Sequence, residues 1–342
     1  MTRIAAHPIL LNLSLLFLAL TLSIAVGSVF IPPAVAFDVF RSWLSGQQPP
    51  DLLRPFETIL FTLRLPRTVL MALTGAALAS SGAAYQGLFR NPLADPYLIG
   101  VASGAGLGAV LAMAARAQLS LLGLFAVPVA AFTGAMAAVI IVYVLARVGR
   151  TLPVTNLILA GVAVSSFATA LTSFLMINST GELRRALVWL LGGSTLSGWQ
   201  PVMAQFPYVL VGLGVMMTLG HALNVMQVGD EQAQQLGLPV ERVRIGVILA
   251  ASLTTAAAVS FAGIIGFVGL IVPHVVRMVW GGDYRRILPL SALGGATLLL
   301  FADVLARVLL APQELPVGII TSLGGAPFFL WVLRRAKNQS FW

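Results

Sequence analysis

Cysteine is absent from the 342 residues, which excludes a disulfide framework and thiolate metal ligation. Histidine occurs three times, at His7, His221 and His274, with no ligand spacing, so neither an intrinsic metal site nor a cofactor is expected. Lysine occurs once, at Lys337. A phosphate-binding loop of the form G-x-x-x-x-G-K-[ST] needs its lysine to reach the phosphates. Lys337 stands between Arg-Arg-Ala and Asn, so no such loop exists here. If ATP is used, another polypeptide must bind it. Charge is scarce as well: 9% of residues are charged, against about 25% in soluble domains.

What fills the chain instead is apolar. Hydrophobic residues make up 58% of it, and the mean hydropathy is +0.96. A soluble core cannot absorb that excess, because a soluble protein must still clothe its surface; an integral membrane protein is the class that fits. The net charge of +9 comes from basic residues scattered singly or in pairs. Nucleic-acid binding would need them clustered and interleaved with aromatics, so no nucleic-acid partner is expected.

A membrane-crossing helix takes about 20 mainly apolar residues. That measure predicts ten spans, at roughly 9–31, 66–86, 97–115, 120–146, 154–176, 201–222, 245–265, 267–281, 287–309 and 317–334. The eighth is short and interrupted by Gly and Pro. The fold expected is all-α: a polytopic membrane protein in the bilayer, with about ten transmembrane helices in a compact bundle forming one domain over 1–342. The first segment has a rival reading as a signal peptide cleaved after Ala34-Val-Ala36, but its apolar run exceeds an ordinary signal core. An even number of spans with the N-terminus inside puts both termini in the cytoplasm. Twelve of the twenty basic residues then lie inside and eight outside. The sign agrees with the positive-inside rule, and eight outward arginines, more than orientation needs, point to an acidic external partner.

Several segments stand out. The polar island Gln227–Arg244 lies between two apolar runs and reads as a short docked helix ending at Gly237 and Pro239. A structured helix on the water-facing side is a handle for a soluble partner. In Leu63-Arg-Leu-Pro-Arg67, Pro66 suits a first helical turn, which leaves Arg64 and Arg67 projecting at the membrane boundary. Guanidinium groups there can receive carboxylates in a two-pronged geometry. Asp303 and Arg307 are one helical turn apart and can pair, with Arg307 also able to face a partner near Glu314–Gly318. Gly100, Gly104 and Gly108, like Gly75 and Ala79, form small faces for close helix packing. The segment Gly87–Pro96 reads as a rigid turn.

These blocks carry a family resemblance. Leu63–Arg67, Ser81–Pro96, Trp189–Ser194, Gly229–Leu238, Gly263–His274, Ala302–Arg307 and Glu314–Gly318 together resemble the iron-chelate/cobalamin permease family of ABC importers, in order over residues 60–335. The resemblance implies a ten-helix permease in the cell inner membrane, not itself an enzyme. It implies a homodimer with the pathway between subunits, two ATP-binding subunits below and a periplasmic substrate-binding protein above. It assigns Arg64, Arg67 and Arg307 to binding-protein docking. The coupling helices at about 226–243 fit an ATPase groove, with Asp230, Glu231, Gln235, Gly237 and Leu238 at their core. The cytoplasmic gate falls at Val154, Thr155 and Asn156, and a short helix within 177–199 narrows the outer mouth.

Two other classes fit less well. An ion-coupled secondary transporter usually carries mid-span acids, and here Asp303 alone is clearly intramembrane, beside Arg307. An intramembrane enzyme needs a nucleophile–base pair or facing carboxylates, and His221 and His274 have no carboxylate nearby in sequence. The substrate implied by the resemblance is a bulky metal chelate, a ferric siderophore or haem first and cobalamin second.

Overall fold

Small residues decide how these helices meet. In a computed structural model that describes residues 7–27, 29, 31–46, 50–115, 123–149, 151–178, 182–193 and 196–337, helix α4 (Leu65–Phe89) runs through the centre against α14 (Tyr284–Val308). A Cβ added to Gly75 would collide with the Gly295 carbonyl, and one added to Gly295 with the Gly75 carbonyl. Backbone therefore touches backbone, the close approach that replaces hydrophobic attraction inside lipid. Arg67 meets Asp303 at one end of this crossing, and Gly87 meets Tyr284 at the other, so one antiparallel register holds throughout.

The expected Gly ladder works the same way. Gly104 packs on Gly134, and Gly108 on the Ala130 carbonyl, joining α5 (Val101–Ala114) to α6 (Ala126–Ala146). Helix α12 (Val240–Ala262) fills the remaining side of α4, where Ser81 donates to the Ala251 carbonyl at 3.2 Å and the Tyr85 and Ser252 hydroxyls lie 2.8 Å apart. These polar groups are buried, and each finds a partner, as hydrocarbon requires.

Around this core lie α1 (Pro8–Ala25), α7 (Val154–Asn178), α9 (Trp199–Thr218) and α15 (Val317–Lys337). The described residues contain no β-strand, only an isolated antiparallel bridge between Val148 and Thr151. Among the described residues seven helices are long and apolar enough to cross a membrane, and the chain is a multi-pass membrane protein. All ten expected spans find a helix, and one of them is shorter than expected. The eighth, expected to be short, is α13 (Val268–Trp280), whose 13 residues rise only about 20 Å. Helix α5 has 14 residues and reaches about 21 Å, because residues 91–100 are turns rather than helix. Neither covers the roughly 30 Å of hydrocarbon alone.

The missing lengths are irregular backbone inside the bundle. Tyr97 donates its hydroxyl to the Ile265 carbonyl at 2.8 Å and accepts from the Ile265 N–H at 3.3 Å, tying segment 91–100 to segment 263–267. Non-helical chain at membrane depth persists only when protein satisfies it. Between the first two spans the structure adds α2 (Pro33–Leu44), which contains Ala34-Val-Ala36, and α3 (Arg54–Thr58), which passes through a wide π turn at Ile59–Arg64 into α4. The expected short helix is α8 (Leu183–Leu190).

Gly295→Val should lower unfolding free energy in detergent by about 1–3 kcal/mol, since overpacking forces the α4–α14 crossing apart. Gly214, with open space where its Cβ would sit, should tolerate valine within about 0.5 kcal/mol. Thermal unfolding of both variants checks the difference, and equal losses would remove the crossing from its organising role.

Candidate functional site

Two charged clusters sit at opposite ends of α4, with Arg67 near one terminus and Arg90 just past the other. From Arg67 to Arg90 a helix rises about 35 Å, close to the thickness of a bilayer core.

At the first end Asp303 is fully buried. Arg67 grips it with two nitrogens, Nε at 3.0 Å and Nη2 at 2.9 Å from Oδ1. Arg307 approaches the other oxygen, Nε to Oδ2 at 3.0 Å, so the pairing expected from sequence is present. Arg307 also donates to the Ser23 carbonyl and hydroxyl at 3.1 and 3.0 Å, which draws in α1. The remaining nitrogen of Arg67 reaches Glu314 Oε2 at 2.5 Å.

Arg64 departs from expectation. Its relative exposure is 6%, and its guanidinium donates to the carbonyls of Ile24 and Ala25 at 2.9 and 3.1 Å and to that of Val29. Arg307 is 3% exposed. These two arginines do not project; they are spent inside, on carbonyls that α1 leaves open at its C-terminus. Only Arg67 and Glu314 stay partly accessible, at 30% and 39% of their side chains. All three arginines nevertheless line one cavity of about 350 Å³, together with Glu314, Pro66 and Leu70. The whole cluster holds three guanidiniums and two carboxylates, the buried Asp303 and the cavity-lining Glu314, leaving one positive charge over.

At the second end the polar island folds as expected. Helix α10 (Gly220–Met226) leads into α11 (Asp230–Gln235). The chain closes α11 with Gly237 at φ +84°. The Leu238 N–H donates to the Ala233 carbonyl at 3.0 Å and the Gly237 N–H to the Gln234 carbonyl at 2.9 Å, a Schellman stop that glycine allows without strain. Pro239 then prevents continuation. A helix of 6 residues is too short to hold itself, so its stiffness comes from side chains. Asp230 pairs with Arg244 at 2.6 Å and Arg90 at 3.5 Å, while Arg244 also holds Glu241 at 2.6 Å.

The five residues expected to couple to an ATPase therefore divide. Asp230 faces inward as an anchor and Leu238 is half-buried, whereas Glu231, Gln235 and Gly237 are exposed. The sequence reading missed Leu236 and Val228, which are 72% and 52% exposed beside them. The available signal was an apolar residue close to each end of the polar run Gly229–Gln235. Behind α11, Asn224 donates to Asp283 Oδ1 at 2.6 Å, and Asp283 caps α14. Hydrogen bonds from the Arg285 and then the Asn224 side chain hold the Asp283 carboxyl below its usual range.

Val154, Thr155 and Asn156 open α7 just after the Val148–Thr151 turn, at the Arg90 end, with Thr155 exposed and Asn156 donating to the Ala146 carbonyl at 3.4 Å. Sequence also failed to show that three glycine motifs converge. Gly192 accepts from the Val317 N–H at 3.2 Å, and a Cβ on Gly263 would strike the Trp189 carbonyl. Thus α8, the 263–267 segment and the start of α15 meet at one point. Ser194, in the first of these motifs, lies outside the described residues.

The model of the FecCD transport family matches residues 15–335. The cobalamin import system permease protein BtuC of Halobacterium salinarum is 49% identical over 81% of this chain and 74% of its own length. The hemin transport system permease protein HmuU of Yersinia pestis is 41% identical over 82% of this chain and 84% of its own. Among solved structures, an inward-facing metal-chelate type ABC transporter superposes with a TM-score of 0.83 at 29% identity, covering 95% of this chain and 98% of that one.

Asp303→Asn should cost about 3–5 kcal/mol of stability, because it strands two largely buried guanidiniums. Glu314→Gln, at a half-open surface, should change it by less than about 1 kcal/mol. Thermal melts in detergent separate them, and a stable Asp303→Asn variant would show that the carboxylate is not the keystone of this end.

Proposed function

The chain belongs to the FecCD transport family and is a membrane permease of the ABC importer class, and on that premise we propose how its two ends divide the work. Import is driven by ATP hydrolysed on separate subunits, and the permease acts as a homodimer with the pathway between its copies. Both termini face the cytoplasm of a cell whose inner membrane holds the protein. The Arg67 end then faces outward to a substrate-binding protein, and the α11 end faces inward to the ATP-binding subunits.

The observation that carries this reading is α11: short, exposed along Glu231 and Gln235, and braced from behind by the Asp230–Arg244 pair. A braced protrusion transmits a push, whereas a loose loop absorbs it. The apolar Leu236 and Val228 give it a greasy tip suited to a groove. At the outer end Arg67 is the accessible docking group, and the cavity lets an acidic side chain reach Arg64 and Arg307 as well. The gate is assigned to Val154, Thr155 and Asn156, where α7 meets the inner surface.

The cargo is a metal chelate moved inward, a ferric siderophore or haem. Cobalamin is the second reading, and its support is the cobalamin permease among the relatives. The permease needs no high-affinity site for it, because the binding protein supplies recognition.

Glu231→Arg and Gly237→Pro should each abolish uptake into vesicles containing the ATP-binding subunits while leaving ATP hydrolysis near the parental rate. Proline cannot adopt the φ that Gly237 occupies. Normal uptake by both variants would sink the coupling role.

Docking should respond in opposite senses at the other end. Arg67→Ala is expected to weaken binding-protein affinity about tenfold or more, and Glu314→Gln to strengthen it by freeing the guanidinium. Calorimetry with the complete transporter reads both, and unchanged affinities would remove Arg67 from the interface.

A further inference from the structure

Helix α2 presents three different faces within its 12 residues. One face is buried. Val39, 1% exposed, joins Ile31 and Leu60 in a small apolar cluster, and Val35 and Ala36 pack against it. Ile24, next to the last residue of α1, packs on the same cluster. That contact sets α2 at the level where the first span ends.

A second face is apolar and bare. Phe37, Phe40 and Leu44 follow the i, i+3, i+7 spacing of a single helix face, and they are 65%, 49% and 66% exposed. The third face carries Asp38 and Arg41, three residues apart and both exposed. Trp43 stands at the border of the buried and bare faces. Its ring stacks on Phe61 with 5.3 Å between centres and is still half-exposed.

Protein on one side, open apolar surface on the second and charge on the third call for a medium that is greasy in one direction and wet in the other. The boundary of a bilayer is such a medium, and amphipathic helices lie in it with their apolar face sunk. Indole rings favour the headgroup level, and a long arginine stem lets its guanidinium reach water. A protein partner lacks the area it needs. A stable protein interface engages about 20–30 residues a side, and the bare face of α2 offers Phe37, Phe40 and Leu44 alone.

We propose that α2 is an interfacial anchor in the leaflet at the Arg67 end, with Phe37, Phe40 and Leu44 among the acyl chains and Asp38 and Arg41 toward headgroups and water. This placement holds for either orientation of the chain, so it stands apart from the docking role of Arg67. Ile59 packs on the Val39 cluster and also lines the cavity of about 350 Å³, so lipid holds one wall of that cavity through α2.

The chain has no cysteine, so one nitroxide label can be introduced without background. Phe40→Cys, Leu44→Cys and Asp38→Cys replace exposed side chains outside the core. Each is labelled, and the full chain is reconstituted into vesicles of phosphatidylcholine and phosphatidylglycerol. Paramagnetic relaxation is read with oxygen, which dissolves among acyl chains, and with a nickel chelate, which stays in water. Labels at Phe40 and Leu44 should favour oxygen and lie about 5–10 Å into the headgroup and acyl boundary, whereas the label at Asp38 should favour nickel. Equal access of nickel to all three positions would lift α2 clear of the membrane and overturn the proposal. Exclusion of both reagents from Phe40 and Leu44 would overturn it as well, since a second copy or another protein would then cover that face.

Discussion

Backbone contact between α4 and α14 is the constraint on which the rest depends. Lipid gives two helices no hydrophobic reason to associate, so they hold together by how closely they fit. At Gly75 and Gly295 nothing but hydrogen separates the two main chains. That fit fixes a register, and the register sets what meets at each end: Arg67 opposite Asp303, Gly87 beneath Tyr284. The charged cluster at the Arg67 end is therefore a consequence of one crossing about midway along the helices.

The clusters are built on different principles. The one at the Arg67 end is ionic and mostly dry, with a buried aspartate shared by two arginines and a third arginine closing the open carbonyls of α1. Such an arrangement adds little net stability over apolar packing, but it punishes any rearrangement that strands a charge. The cluster at the α11 end is wetter. It braces one exposed helix through Asp230 and leaves Glu231, Gln235 and Leu236 outward. One end resists change and the other presents a surface, a division that suits a permease worked from one side and loaded from the other.

Much of this was legible in the sequence, because hydropathy and turn chemistry are local. The long spans, the glycine ladder, the Asp303–Arg307 pair and the Gly237–Pro239 stop all follow from neighbours in the chain. What escaped was non-local. Hydropathy cannot distinguish a full span from a half-length helix joined to buried coil, so α5 was expected to be longer. Charge alone sends arginine outward, yet Arg64 turns inward because acceptors from Ile24 and Ala25 wait there, about forty residues earlier in the chain. The meeting of Gly192, Gly263 and Val317 likewise has no signature in any one of its three segments.

Tyr97 carries a mechanical implication. Irregular chain within a helical bundle is the natural place for a hinge, since it lacks the regular ladder that resists bending. Here a single phenol bridges two such stretches through both the carbonyl and the amide of Ile265. It works as a rivet, and the half-helices on either side become parts of one stiff plate. Alternation between open and closed forms would then swing whole plates about their edges rather than flex their middles.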